Sequence, residues 1–136
     1  MSILLPALVL VAWTLVVWAW MYATRIPAMQ KAGIPPQAAR FTSDLSGLPD
    51  GPRQVAANYN HLMEQPTIFY ATVVILQLLQ AADGLNVALA WAYVSLRVVH
   101  SLIQNTVNIV MARWLVFTVS TLVLGVMVLR GIAAAL

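Results

Sequence analysis

The first 24 residues, Met1 to Thr24, carry no charged side chain, and that run constrains the fold more than any motif does. A helix over Ile3 to Tyr22 rises about 1.5 Å per residue, enough to cross a roughly 30 Å hydrocarbon core. In lipid the backbone must satisfy its own N–H and C=O groups, so an apolar run of this length is expected as a helix. Trp13, Trp18, Trp20 and Tyr22 gather toward its C-terminal half, where amphipathic rings mark a membrane boundary. A cleaved signal peptide is the competing reading. It has no basic n-region here, and the apolar run outlasts the usual core of about 7–15 residues, so a retained helix is expected.

The rest of the chain continues the pattern. Of 136 residues, 62% are apolar and 8% charged, with a mean hydropathy of +0.86; soluble domains carry roughly a quarter charged residues. This excludes a soluble globular enzyme. Seven basic residues outweigh four acidic ones, and four of the seven lie between Arg25 and Arg53. Such clustering is a topology signal, not a nucleic-acid footprint, and no nucleic-acid partner is expected. There is no cysteine, so the chain has neither disulfide nor thiolate of its own, and any sulfur chemistry must come from a substrate's thiol.

The expected organisation is a single domain over 1–136, an all-α four-helix membrane bundle. The first helix covers about 3–24. A loop over about 25–53 follows, holding Pro27, Pro35, Pro36, Pro49, Pro52 and three glycines, and a loop of that length is more often functional or disordered than a bare connector. The second helix is expected over about 54–82, kinked but continuous through Pro66. Asp83 and Gly84 form a turn, and the last two helices cover about 85–111 and 114–130. Four crossings put both termini on one side. The opposite side carries Arg25, Lys31, Arg40, Arg53 and Arg113, so the positive-inside rule makes the long loop cytoplasmic and both termini external. The expected location is a multi-pass protein of the bacterial inner membrane. No internal repeat appears, which weighs against an alternating-access transporter.

The third helix carries the chemistry. Arg97 and His100 fall about 20 and 24 Å below the outer turn at about 1.5 Å per residue. At helical spacing Tyr93, Arg97, His100, Gln104 and Asn108 share an arc of roughly 80°, and such a stripe faces protein or a cavity, not lipid. On the second helix His61 and Glu64 share a face, and Glu64 is the only acidic residue inside an expected span. An Arg97–Glu64 ion pair bridged by His100 is therefore expected. The network is either structural glue or part of a site. His61, Glu64 and His100 also offer two imidazoles and a carboxylate, but their spacing matches no metal motif and no metal is expected. Arg113 reads as an interfacial anchor that offsets the C-terminal dipole of the third helix.

Three stretches then stand together: Thr24-Arg25-Ile26-Pro27, Asn60-His61-Leu62-Met63-Glu64-Gln65-Pro66, and Tyr93-Val94-Ser95-Leu96-Arg97-Val98-Val99-His100. With the helix count and motif order, they resemble the MAPEG family, the membrane-associated proteins in eicosanoid and glutathione metabolism, in its bacterial-type members. The resemblance covers essentially the whole chain. It implies a homotrimer with glutathione as cosubstrate between neighbouring subunits, and a lipophilic small-molecule electrophile arriving among the membrane lipids. By position, Glu64 matches the family's second-helix carboxylate. Arg97 and His100 match an Arg-x-x-His pair of the prostaglandin E synthase branch, and Arg113 falls where that branch has its thiolate-stabilising arginine.

The chain departs from that pattern at three places. Gln104 stands where active members carry tyrosine, His61 where the motif has asparagine, and Ala57 where it has arginine, with Arg53 one turn earlier. What the resemblance implies is a glutathione-dependent transferase or peroxidase with Arg113 as the catalytic group. Glu64, Arg97, His100, Gln104, Asn108, Arg53 and His61 would be the peptide contacts. The alternative is a non-enzymatic trimeric scaffold or lipid-binding protein whose polar network is structural. A proton- or solute-conducting protein using His100 and Glu64 is a third class.

Overall fold

The computed structural model describes residues 2–136. They form five helices, α1 (Leu4–Ala32), α2 (Asp50–Leu62), α3 (Pro66–Leu78), α4 (Gly84–Asn105) and α5 (Val110–Ala135). Two short 3-10 turns, Pro36–Ala38 and Thr42–Leu45, lie in the loop, and there is no strand among the described residues. α1, α4 and α5 are each long and apolar enough to cross a membrane. α2 and α3 together make the fourth element of the bundle. Its outer surface displays Leu8, Leu15, Leu122 and Leu129, the dressing of an integral membrane protein, where lipid replaces water around apolar side chains.

The core follows from helical periodicity. Leu10, Val17 and Met21 of α1 are buried one or two turns apart, and they meet Phe69 and Val73 of α3, Tyr93 and Val94 of α4, and Leu124 and Met127 of α5. Side chains seven residues apart share a helix face, so one stripe of each helix turns inward and the rest faces lipid. α4 and α5 make the most extensive contact, followed by α1 with α2.

The helix ends differ from those expected, and each difference has a local cause. α1 does not stop near Thr24; it runs past Pro27 to Ala32. Proline removes one hydrogen bond, but Ala28 to Ala32 are mostly strong helix formers. The stop is Gly33, at φ 68°. Its N–H bonds Gln30 O at 3.2 Å and that of Ile34 bonds Met29 O at 3.0 Å, the paired bonds of a Schellman cap. The second helix is broken rather than kinked. Pro66 has no N–H for the Leu62 carbonyl, and tight i to i+3 bonds take over: Glu64 N–H to His61 O and Ile68 N–H to Gln65 O.

The third helix ends at Asn105, not near 111. Asn105, Thr106, Val107 and Asn108 are all poor helix formers, and Asn108 turns the chain at φ 47°, a left-handed conformation that asparagine tolerates. α5 therefore starts four residues early. It also runs through Gly131, expected as a stop, to Ala135. That glycine marks close approach: a Cβ there would meet Leu76 Cδ2 at 3.3 Å.

At the end where α3 turns into α4, the polar groups close on one another. Asp83 caps α4 by accepting from Asn86 N at 2.8 Å, and Asn86 Nδ2 donates to Ala81 O at 2.7 Å. Arg130, near the end of α5, donates to Asn86 Oδ1 at 2.8 Å and to Asp83 Oδ2 at 2.6 Å.

Candidate functional site

The last turn of α2, the C-terminal half of α4 and the first two turns of α5 converge on one cavity. Its volume is about 220 Å³, and its lining includes His61, His100, Gln104, Arg113, Trp114 and Phe117. Arg97, His100 and Gln104 stand three and four residues apart on α4, one above another on a single face. Exposures of 0%, 3% and 5% show that this face is turned inward.

Arg97 donates from Nη2 to His61 Nδ1 at 2.7 Å. A guanidinium has no acceptor, so Nδ1 accepts and the ring proton of His61 lies on Nε2. The His61 ring stacks on His100, with centroids 4.8 Å apart and planes 11° from parallel. Phe117 closes the other side. It lies edge-on to His61 at 5.1 Å, and the Arg97 guanidinium carbon sits 5.7 Å from its centroid, a cation–π distance. The cluster is not saturated: Arg97 Nε and Nη1, His100 Nδ1 and Gln104 Oε1 are buried without a hydrogen-bond partner.

Charge in this region is positive. Arg113 is half-buried in the first turn of α5, its N–H bonded to Ile109 O. A helix N-terminus carries a partial positive charge, so the dipole and the guanidinium act in the same sense on anything in the cavity. The ion pairs among the described residues are Arg53 with Asp50 and Arg130 with Asp83, neither of which reaches the cavity. An anion set against Arg113, with an N–H group donating to Gln104 Oε1 and a polar group meeting His100 Nδ1, would match what the walls offer.

The expected residues are thus partly gathered and partly dispersed. His61, Arg97, His100, Gln104 and Arg113 come together. The expected Arg97–Glu64 pair does not form: the turn at Met63 to Gln65 leaves Glu64 exposed, and His61 holds Arg97 instead. Arg113 does not sit at the end of the third helix, because that helix stops at Asn105. It begins the next one, so its anchor role against a C-terminal dipole falls away. Asn108 lies in the turn, off the stripe. Arg53 lies in the first turn of α2, about 12 Å along the helix from His61, and lines a different cavity with Arg25.

Parallel imidazoles direct their lone pairs in separate planes, and among the described residues no three His, Asp or Glu side chains are grouped as ligands. Phe117 and Trp114 were not singled out from sequence, although Phe117 lies four residues after Arg113 and therefore on its face. Also missed were two cross-helix bonds that brace the cluster, Ser101 Oγ to Asn58 Oδ1 at 3.2 Å and Tyr93 OH to Gln65 Oε1 at 3.1 Å. Gln65 in turn donates to Thr121 at 2.9 Å.

Over residues 3–133, nearly its whole length, the chain matches the family model described as the MAPEG family. No curated protein and no solved structure matches it.

Proposed function

As the chain belongs to the MAPEG family, whose members include glutathione transferases, peroxidases and other enzymes, we propose that it is a glutathione-dependent transferase or peroxidase acting on lipophilic electrophiles. The observation that carries this reading is Arg113 at the start of α5, on a cavity whose other walls hold buried, unpartnered His100 Nδ1 and Gln104 Oε1. The cosubstrate supplies a thiol, which reacts as its thiolate. Arg113 and the α5 N-terminus hold the negative charge where it develops. Gln104 accepts from a peptide N–H group, His100 Nδ1 bonds a polar group of the peptide, and Phe117 and Trp114 form a low-polarity wall that keeps water out and admits an apolar electrophile from the bilayer.

A cavity of about 220 Å³ is smaller than most small-molecule sites, which run from about 300 Å³ upward. Part of a tripeptide fits one protomer, and a neighbouring subunit supplies the remaining wall in a homotrimer. In this reading the long loop and the α4–α5 turn are cytoplasmic, on the side that holds Arg25, Lys31, Arg40, Arg53 and Arg113.

The test is calorimetric titration of glutathione into the detergent-solubilised protein, with Arg113→Ala as the matched control and the oligomeric state measured for both. Saturable binding lost in a variant of unchanged assembly supports the reading. Absence of binding at millimolar glutathione sinks it. A second reading, a non-enzymatic scaffold, is favoured by the Arg97–His61 and Tyr93–Gln65–Thr121 bonds, which tie α2, the start of α3, α4 and α5 together; by the resemblance, Gln104 also stands where active members carry tyrosine. Under it, Arg97→Ala disrupts assembly and no thiol binds.

A further inference from the structure

A second basic cavity, of about 330 Å³, opens on the loop side, away from the Arg113 site, and its walls include Arg25, Arg53, Thr42, Ser43, Ser46 and Asn60. Two guanidiniums with three hydroxyls and an amide are a donor set for a phosphate, whose oxygens accept charge-assisted bonds. Of the acidic groups nearby, one is held by the loop backbone and the other pairs with Arg53 itself, in an exposed contact that is weak in water and that a phosphate would displace. Asp44 accepts from Phe41 N at 2.9 Å, and Asp50, 3.7 Å from Arg53, is 87% exposed.

Farther along the bundle axis, α1 and the α2–α3 junction form a third cavity on the outer surface, about 340 Å³ and largely apolar, with Val11, Leu15, Leu62, Met63 and Tyr70 among its walls. Arg25 and Leu15 are ten residues apart on α1, about 15 Å of helix, which is half the thickness of a roughly 30 Å hydrocarbon core. At the C-terminal end of α2, Asn60 of the basic cavity is three residues from Met63 of the apolar one, just past the helix. In a bilayer crossed by α1 the polar cavity would lie at headgroup level and the apolar one near the midplane, both between α1 and the α2–α3 element.

We propose that the α1–α2 groove is a binding site for an anionic phospholipid, with the phosphate held by Arg25, Arg53 and the Thr42–Ser46 hydroxyls and an acyl chain seated against Leu15 and Met63. The charge of the upper cavity selects the occupant. A zwitterionic lipid brings a cation to two guanidiniums, a free phosphate leaves the lower cavity unused, and the apolar face of a second copy offers nothing to the arginines. The site does not rest on the glutathione reading, and it reassigns Arg53, which the resemblance had counted among the peptide contacts.

The test uses the full-length protein in zwitterionic nanodiscs, titrated with phosphatidylglycerol and with glycerol phosphate, and native mass spectrometry to count retained lipid. Phosphatidylglycerol is retained over phosphatidylcholine. Its apparent Kd rises about tenfold or more in Arg25→Gln/Arg53→Gln, since each basic group near the membrane surface contributes to anionic-lipid attraction. Leu15→Trp, which fills the lower cavity and leaves both arginines in place, also weakens retention. Equal retention of both lipids overturns the proposal. So does glycerol phosphate competing at its own concentration as well as the lipid does, which would make this a free-phosphate site. Displacement by glutathione would assign the cavity to the thiol cosubstrate, and cross-linking of Leu15→Cys between protomers would make the groove an interface between copies; either result overturns it.

Discussion

At the α3–α4 end of the bundle, Arg130, Asp83 and Asn86 exchange hydrogen bonds and leave none of their buried polar atoms without a partner. Halfway across and toward the loop side, Arg97, His61, His100 and Gln104 are more deeply buried, yet they leave four polar atoms unmatched. Both clusters contain an arginine and tie α5 to the rest of the bundle. The difference lies in closure. A satisfied knot at a helix end is an element of stability, because each group finds in the fold what water would have offered. Buried donors and acceptors without partners cost free energy, and a fold that keeps them beside a cavity keeps capacity for a ligand.

Four substitutions test that contrast, in descending size of effect. Arg97→Ala removes a fully buried side chain and its bond to His61; a loss of about 3 kcal/mol is expected, read as a lower midpoint in thermal unfolding of the detergent-solubilised protein. A loss under about 1 kcal/mol would mean that the unmatched nitrogens had already offset what the bond contributes. Arg113→Ala is expected to weaken glutathione by about 2 kcal/mol, near the value of a charge-assisted hydrogen bond, with little change in unfolding. If stability falls instead and binding does not, the two clusters are alike and the contrast fails.

Asp83→Ala should do the reverse. It removes an N-cap and the partner of Arg130 together, at about 1–2 kcal/mol of stability, discounted for the exposure of that ion pair, and glutathione titration should be unaltered. The smallest effect is expected at Gln80, which adopts φ 55° in the turn after α3. Its N–H bonds Gln77 O while that of Ala81 bonds Leu76 O, the cap that Gly33 makes at the end of α1. A side chain in that conformation costs about 1 kcal/mol, and Gln80→Gly should recover it as a raised unfolding midpoint.

Much of this was legible in the residues because period and charge are local properties. The inward stripe of α4 follows from 3.6 residues per turn, and Tyr93, Arg97, His100 and Gln104 lie on it with no further information. Asn108 dropped out because a run of poor helix formers ended α4 before reaching it. Two glycines show where local rules stop. Gly33 and Gly131 both sit near places where a helix was expected to end or had to end, but one caps α1 and the other lets α5 approach Leu76. Composition cannot tell these uses apart, because the second depends on a helix more than fifty residues away in the chain.

The partner of Arg97 shows the same limit. From sequence, the one carboxylate in an expected span was its natural mate, since a buried cation seeks a charge. A break of three residues before Pro66 moved Glu64 to the surface and left His61 as the neighbour. What the sequence alone determined was the medium, the all-helical architecture and the faces that turn inward, because the cost of polar groups in lipid acts on each segment separately. Tertiary structure decided which polar groups meet, that Arg113 opens a helix instead of closing one, and which arginines share a cavity. Those depend on where helices stop and how they cross, and a few kcal/mol of packing and hydrogen bonding between distant segments settles them.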